Sequence, residues 1–133
     1  MERKEPYATP EEFNRCITRY RDIPIIEMAP GVKAHILSSE RMTVIYVTLA
    51  PNSFIPLHHH EQEQIMTVVE GECDEIIDGK LYHLKEGDVV RLASNQEHGT
   101  YVSEKGCLTI EVFSPVREDY VAKMAAVKKS LRK

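Results

Sequence analysis

Histidines in the middle of the chain have the spacing of metal ligands. His58 and His60 are separated by one residue, so on an extended strand both imidazoles project to one face while His59 points to the other. Two imidazoles that converge on one side supply half of a transition-metal site. Gln64 begins the next strand-like run, where its amide oxygen can turn toward the histidines. His98 follows a turn-like run, and we expect a neighbouring strand to bring it in as the fourth ligand.

This group of ligands favours some reactions over others. Three imidazoles and one carboxamide are neutral, so a bound divalent ion keeps its full charge, acts as a Lewis acid and attracts an anionic substrate. The set therefore favours isomerisation, hydration or elimination over oxygen activation. It does not choose the ion, because nitrogen and oxygen donors suit Ni, Zn, Mn, Fe or Co. We expect one such ion, with a small anionic molecule as the partner of the site.

A second group of reactive side chains follows near the end of the strand-like region. On a strand over 107–113, Glu111 shares one face with Thr109 and Phe113. An acid on a barrel strand beside a metal is a candidate general acid or base. Arg117 follows a turn that contains proline, and its guanidinium can hold a substrate carboxylate with two hydrogen bonds. The alternative interpretations are that Glu111 is a strand acid paired with a surface lysine, that Arg117 forms an ion pair at a helix start and that Phe113 is a plain core residue.

Successive strands must position these groups. Apolar and alternating runs are bounded by Gly, Asn, Pro or Asp between residues 32 and 115. Asp78-Gly79 lies between two of these runs and indicates a type I′ hairpin turn. Many short strands at this spacing are typical of a sandwich or barrel. The strand-like runs are 42–49, 65–69, 72–77, 88–92 and 107–113.

Helices are predicted on both sides of the strands. Thr9-Pro10-Glu11-Glu12 is a capping box with proline at the first helical position, and apolar residues at helical spacing continue to Tyr20. Near the other end, apolar residues share one helical face, namely Tyr120, Met124, Val127 and Leu131. The zones 10–20 and 117–131 each offer an apolar face that a small barrel does not bury alone, so we expect a homodimer.

The second predicted helix ends in a basic cluster, Lys128, Lys129, Arg132 and Lys133. These charges complement the helix macrodipole. They allow a contact with nucleic acid or membrane, but a solvated last turn is the simpler interpretation.

Composition limits the number of domains and the kinds of partner. The 133 residues, 42% of them hydrophobic, suit one domain over 1–133, divided into an N-terminal helix and arm (1–31), a barrel (32–115) and a C-terminal helix (116–133). A net charge of −4 gives no general electrostatic reason to bind nucleic acid or an anionic membrane. The charged start Met1–Glu5, the lack of a long apolar run and three widely spaced cysteines predict a cytoplasmic protein with free thiols.

Two segments resemble the two sequence motifs of the cupin family. The first family motif is Gly, five residues, His-x-His, three or four residues, Glu or Gln, six residues and Gly. This chain has Asn52, five residues, the histidines 58–60, three residues, Gln64, six residues and Gly71. Asn52 stands where glycine is usual, and asparagine is the side chain that best tolerates the left-handed conformation.

The second motif is Gly, five residues, Pro-x-Gly, two residues, His, three residues and Asn. This chain has Gly87, five residues, Ala93-Ser94-Asn95, two residues, His98, three residues and Val102. Asn95 again replaces a glycine, while Ala93 and Val102 replace residues that are not ligands. The resemblance covers roughly residues 32–117.

The resemblance implies an all-β fold, the cupin double-stranded β-helix or jelly-roll barrel, with short N- and C-terminal helices. It also implies that Gln64 is the oxygen ligand, because it fits the motif spacing better than the rivals Glu61 and Glu63. The metal ligands implied in this way are His58, His60, Gln64 and His98.

The segment Val112-Phe113-Ser114-Pro115-Val116-Arg117-Glu118-Asp119 resembles the tail of the pectin-degradation cupins, which act on unsaturated-uronate breakdown products. By that resemblance Glu111, Phe113 and Arg117 line the pocket, and Glu111 stands where an aspartate is usual. The resemblance implies a metal-dependent isomerase or lyase that acts on a small keto sugar acid such as a 4-deoxy-5-keto uronate. Two other hypotheses remain open, a cupin dioxygenase with Fe or Cu and a binding module that senses a small ligand without turnover.

Overall fold

The computed structural model describes residues 2–132, and among these residues eight antiparallel strands are flanked by two helices. The elements are α1 Pro10–Cys16, a 3-10 helix Tyr20–Asp22, β1 Ile26–Ala29, β2 Val32–Ser38, β3 Thr43–Leu49, β4 Phe54–His58, β5 Glu63–Ile77, β6 Lys80–Lys85, β7 Val89–Leu92, β8 His98–Ser114 and α2 Glu118–Leu131. The strands form one continuous sheet in the order β1-β2-β3-β8-β5-β6, with β4 paired to β8 and β7 paired to β5. The expected all-β barrel with short helices is confirmed.

Two long strands, β5 and β8, run through both halves of the barrel. The sequence predicted separate strands at 65–69 and 72–77, but they are one strand, and β8 begins nine residues before the predicted run 107–113. The first half of β5 pairs with β7 and its second half pairs with β6, while β8 lies alongside it in both halves. The register shifts between Val68 and Glu70 and between Gly71 and Cys73 let the pair bend without ending.

The bend depends on a close approach between Gly71 and Gly106. Gly71 has a φ of +84°, and a Cβ atom placed on it would lie 2.1 Å from the Gly106 carbonyl oxygen. A side chain at this position would therefore separate β5 from β8. The two halves of the sheet fold toward each other around this bend, and the core lies between them.

The predicted turns are confirmed. Asp78 and Gly79 have φ values of 49° and 81°, as a type I′ turn requires at both central residues. Asn52 and Asn95, which stand at glycine positions of the motifs, adopt φ values of 61° and 60°. Asparagine therefore keeps both turns in the left-handed region.

The N-terminal helix is shorter than its apolar spacing predicted. Thr9 caps it with the expected capping box, but the backbone turns extended at Ile17, so the helix ends before Tyr20. No residue of α1 is buried, so nothing packs against it to prolong it. Tyr20 instead stacks on Tyr46, with ring centroids 4.3 Å apart.

The C-terminal helix follows the prediction more closely. Met124 is buried, and Tyr120 and Val127 pack beside it, but Leu131 is 68% exposed, so the apolar face ends before the last turn. Lys133 of the basic cluster, like Met1, lies outside the described residues. No helix within residues 2–132 has the length and apolar character needed to span a bilayer.

The outer face of the sheet carries an apolar row across four strands. Leu37 pairs with Val44, which pairs with Val112, which in turn pairs with Ile65. Leu37 and Ile65 are 42% and 45% exposed, and the two valines between them are half-buried. A contiguous apolar patch of this kind is typical of a protein–protein interface.

We propose that a second copy of this chain covers the outer face, because a two-fold axis brings identical apolar rows together. Light scattering of the purified protein should give the mass of a homodimer. Ile65→Lys should shift it to monomer, whereas Leu81→Lys, at an exposed position on β6 away from this row, should not. A wild-type protein that is monomeric at micromolar concentration would rule the dimer out.

A second prediction concerns the bend. Gly71→Ala should destabilise the protein by roughly 3 kcal/mol or more in urea denaturation, because it adds a collision with backbone to left-handed strain. Gly79→Ala is the matched control, since its φ is +81° but no atom lies within 4 Å of its Cβ position. It should cost only ~1–2 kcal/mol. Equal costs at the two positions would show that the close approach is not important.

Candidate metal centre and cavity

Three histidines converge at one end of the barrel. His58 ends β4 and pairs with His98, the first residue of β8. His60 lies beyond the end of β4, so the expected same-strand geometry of His58 and His60 is wrong, and the chain between β4 and β5 turns its imidazole inward. One nitrogen from each of His58, His60 and His98 lies within 4.8 Å of the others. The convergence is therefore achieved through the pairing of β4 with β8 and the connection after β4.

Backbone carbonyls determine which nitrogen of each ring faces the centre. Nδ1 of His58 donates to the Pro56 oxygen at 2.9 Å, and the other two rings make the same kind of bond, His60 to Gln62 at 3.0 Å and His98 to Gln96 at 2.8 Å. Because Nδ1 carries the proton in each case, each Nε2 presents a lone pair. This second interaction of the ring is typical of metal-binding histidine.

Two observations show that these lone pairs lack a protein donor. His98 is 3% exposed, and its Nε2 is buried without a hydrogen-bond partner among residues 2–132. His60 Nε2 lies 3.1 Å from the amide oxygen of Gln64, so two acceptors face each other. A cation satisfies such a group of acceptors, and a divalent metal ion fits these residues.

Gln64 is held in the orientation that a ligand needs. Its amide nitrogen donates to Glu111 at 2.6 Å, which directs its oxygen toward His60. The second oxygen of Glu111 accepts a hydrogen bond from the Thr109 hydroxyl at 2.8 Å. The rivals Glu61 and Glu63 are exposed, whereas Gln64 is buried.

Burial keeps two of the histidines neutral. It lowers the pKa of His98 to about 4 and also lowers the pKa of His60, and the Arg117 charge acts in the same direction on both. Both rings are therefore free to coordinate at neutral pH, because a protonated imidazole has no lone pair to give.

A cavity of about 340 Å³ opens next to the histidines. Apolar side chains of β2 and β3, including Ala34, Ile45 and Val47, form one wall. The polar side chains that line it are His58, Gln64, Glu75, His98, Thr100, Glu111, Arg117 and Lys123. Glu111 and Phe113 face inward with Thr109, as the strand alternation predicted, and all three are buried.

Arg117 occupies the edge of the cavity and also makes an ion pair. Its guanidinium donates to both carboxylate oxygens of Asp119 at 3.0 and 2.8 Å. It lies 3.9 Å from the centroid of Tyr120 and 4.9 Å from that of Phe113. The predicted pocket position and the alternative ion pair are thus both present. A guanidinium has five N–H donors, so the pair with Asp119 leaves donors for a ligand.

Sequence reasoning missed Glu75, Thr100, Tyr120 and Lys123 as cavity residues. Glu75 has the clearest missed signal, because strand alternation puts it on the same face as the buried Cys73. An acid on the inward face of a strand is unusual and marks a candidate functional residue. Burial raises the pKa of Glu75 to about 8.

Comparisons with known proteins agree with the fold. The cupin domain family model matches residues 45–113. The chain is 30% identical to the pectin degradation protein KdgF of Dickeya dadantii over 102 residues, which are 75% of this chain and 93% of that protein.

Solved structures are similar as well. The structure of KdgF from Halomonas sp. matches with a TM-score of 0.70 at 25% identity, over 75% of this chain and 93% of that one. An RmlC-like cupin from Shewanella frigidimarina matches with a TM-score of 0.74 at 25% identity, over 79% of this chain and 95% of that one. With the three-histidine site and the bent β5–β8 pair, these matches show that the chain belongs to the cupin family.

Proposed function

We propose that this protein is a metal-dependent isomerase or lyase that acts on a small keto sugar acid such as a 4-deoxy-5-keto uronate. The observation that carries the proposal is the convergence of three imidazoles and the Gln64 oxygen beside a cavity that contains a buried carboxyl. The similarity to a protein named for pectin degradation supports this class of substrate. A divalent ion from the set Ni, Zn, Mn, Fe and Co would be held by His58, His60, Gln64 and His98, and when bound it supplies a Lewis acid for a substrate oxygen.

Glu111 is the proposed base. Burial raises the pKa of Glu111, which makes it a stronger base, while the hydrogen bonds from Thr109 and Gln64 and the Arg117 charge favour its ionised form. The remaining lone pairs of a carboxylate can still accept a proton. It is 8% exposed, so a proton taken from the substrate is not lost directly to bulk water. Its position beside Gln64 places it next to the group that the ion would polarise.

Arg117 is the proposed anchor for the substrate carboxylate. Its guanidinium lies over the rings of Tyr120 and Phe113, and Phe113 forms part of the apolar wall of the pocket. Lys123 adds a second cation at the mouth of the cavity. These charges support a small anionic molecule as the ligand, while no observation supports nucleic acid or membrane as a partner of the described residues.

Binding without turnover is the second candidate function. Both carboxylate oxygens of Glu111 accept hydrogen bonds from the protein, and Arg117 donates to Asp119. Side chains held in this way are also typical of a rigid binding site. We further propose a cytoplasmic location, which agrees with the free thiols of Cys16, Cys73 and Cys107.

Elemental analysis should find close to one divalent ion per chain. The double variant His58→Ala/His60→Ala should lose most of it, because two of four ligands are gone. His83→Ala is the control, since His83 is exposed and paired with Asp74 outside the cavity. Full metal content in the double variant would disprove the assignment of these ligands.

Turnover should depend on Glu111 and Arg117 in different ways. Glu111→Gln can still accept the Gln64 hydrogen bond, so metal content should be kept while kcat falls by ~10²–10⁴. Arg117→Ala should mainly raise KM, because it removes a charge-assisted contact with the substrate. Conversion of a 4-deoxy-5-keto uronate is followed by NMR for ring-opened or cyclised forms.

Oxygen uptake measured in parallel separates an isomerase or lyase from a cupin dioxygenase. If metal-stripped and metal-loaded protein convert a panel of keto sugar acids at the same rate, the enzyme proposal fails. Measurable binding of these acids without conversion would favour the binding module.

A further inference from the structure

A second buried carboxyl, Glu75, faces the cavity and has no role in the proposed metal site. It lies on the second half of β5, where it pairs with Thr100 of β8 on one side and Tyr82 of β6 on the other. The residue is 1% exposed. Glu111 approaches from the part of β8 that pairs with β3 and the first half of β5, so the two acids come from different halves of the sheet.

The two oxygens of Glu75 have different surroundings. Oε1 accepts a hydrogen bond from the Thr100 hydroxyl at 2.5 Å. Oε2 has no hydrogen-bond partner within residues 2–132. It is not fully buried, because His98 Nε2 is the only side-chain nitrogen or oxygen among these residues that is fully buried and has no partner. Oε2 therefore retains accessible surface, and because Glu75 lines the cavity, this surface opens into it.

The two acids are also unequal in charge stabilisation. Burial raises the pKa of Glu111 too, but this carboxyl accepts two hydrogen bonds and lies in the field of Arg117, and these contacts favour its ionised form. The groups that act on Glu75 are the Thr100 hydroxyl, which favours ionisation, and Glu111 and Cys107, which oppose it. Burial is the largest effect and raises the pKa of Glu75 to about 8, so this acid keeps its proton at neutral pH. Two carboxyls whose surroundings differ in this way are suited to opposite roles in proton transfer.

We propose that Glu75 is a second catalytic residue, which donates the proton on Oε2 to the substrate from a different half of the sheet than Glu111. This inference rests on the proposed isomerase function. Glu111 takes one proton from the substrate, the electron pair of that bond shifts within the substrate, and a substrate oxygen or carbon forms a new bond to the proton of Glu75. The substrate loses one proton and gains one, as an isomerisation requires. Glu111 ends protonated and Glu75 ionised, and exchange with water restores both.

Thr100 is the positioning residue for this donor. Its hydroxyl donates to Oε1, so the acid proton of Glu75 is left on Oε2, the oxygen that faces the cavity. On β6 the residue in register with Glu75 is Tyr82, which is 48% exposed. A neutral acid with one oxygen held by a donor and a free O–H on the other can donate that proton into the cavity.

The first test needs no substrate. Protein labelled with ¹³C at glutamate side chains is titrated by NMR, and one side-chain carboxyl resonance should titrate near pH 8. That resonance should be absent in Glu75→Gln and present in Glu72→Gln, a matched control on the same strand whose side chain pairs with Lys105 outside the cavity. If every glutamate has ionised by pH 6, Glu75 holds no proton to donate and the proposal is overturned.

The second test uses metal-loaded protein and the keto sugar acid panel. Glu75→Gln keeps the size and a hydrogen-bond donor but has no proton to transfer, so kcat should fall by ~10²–10⁴ with KM and metal content nearly unchanged. Glu72→Gln should keep wild-type values. A purely structural role for Glu75 would lower the urea midpoint and leave kcat within twofold of wild type, which would overturn the proposal.

The two tests separate the failure of this inference from that of the proposed function. Wild-type protein that turns over no substrate, while one glutamate still titrates near pH 8, contradicts the isomerase proposal and, with it, a catalytic role for Glu75. Active wild-type protein with a fully active Glu75→Gln variant contradicts only the role of Glu75.

Discussion

The pairing of β5 with β8 is the interaction on which the rest of the structure depends. These two strands carry the Gln64 amide, the two buried acids and His98, and their partners on both sides complete the two halves of the barrel. The pair can bend because Gly71 lets the two backbones approach more closely than any side chain would permit. A continuous antiparallel ladder holds its residues in fixed register, so groups far apart in sequence are placed next to one another with the precision of the backbone hydrogen bonds.

The same pairing creates a polar site inside an apolar barrel. Buried lone pairs are costly when no donor reaches them, and the structure assembles several of them at one end of the cavity. Backbone carbonyls accept the Nδ1 protons of the three histidines, so the Nε2 atom of each ring is the one that faces inward. Buried Nε2 lone pairs without a donor lower the stability of the fold, and a bound cation would remove this penalty.

The carboxyls show how environment separates chemically identical groups. Glu111 and Glu75 are both buried glutamates that face one cavity, and burial raises the pKa of both, but Glu111 accepts two side-chain hydrogen bonds and interacts with the Arg117 charge while Glu75 accepts one. In a low-dielectric cavity such differences are large compared with those at a protein surface. The side chain of Glu111 reaches both Gln64 and Thr109. Glu111 therefore links Gln64, beside the three histidines, to the cavity.

Local patterns in the sequence were sufficient for much of this description. The capping box at Thr9, the Asp78-Gly79 turn and the inward face of Thr109, Glu111 and Phe113 each depend on residues close together in the chain, where local backbone geometry decides which way a side chain points. The motif spacing identified the three histidines, but their convergence depends on the pairing of β4 with β8. Contacts between distant residues were not predictable in the same way. The bond between Gln64 and Glu111, the continuity of β5 through Gly71, the early end of α1 and the position of Glu75 in the cavity depend on which strands lie side by side. Strand pairing is decided by the burial of the whole apolar surface at once, and no short segment contains that information.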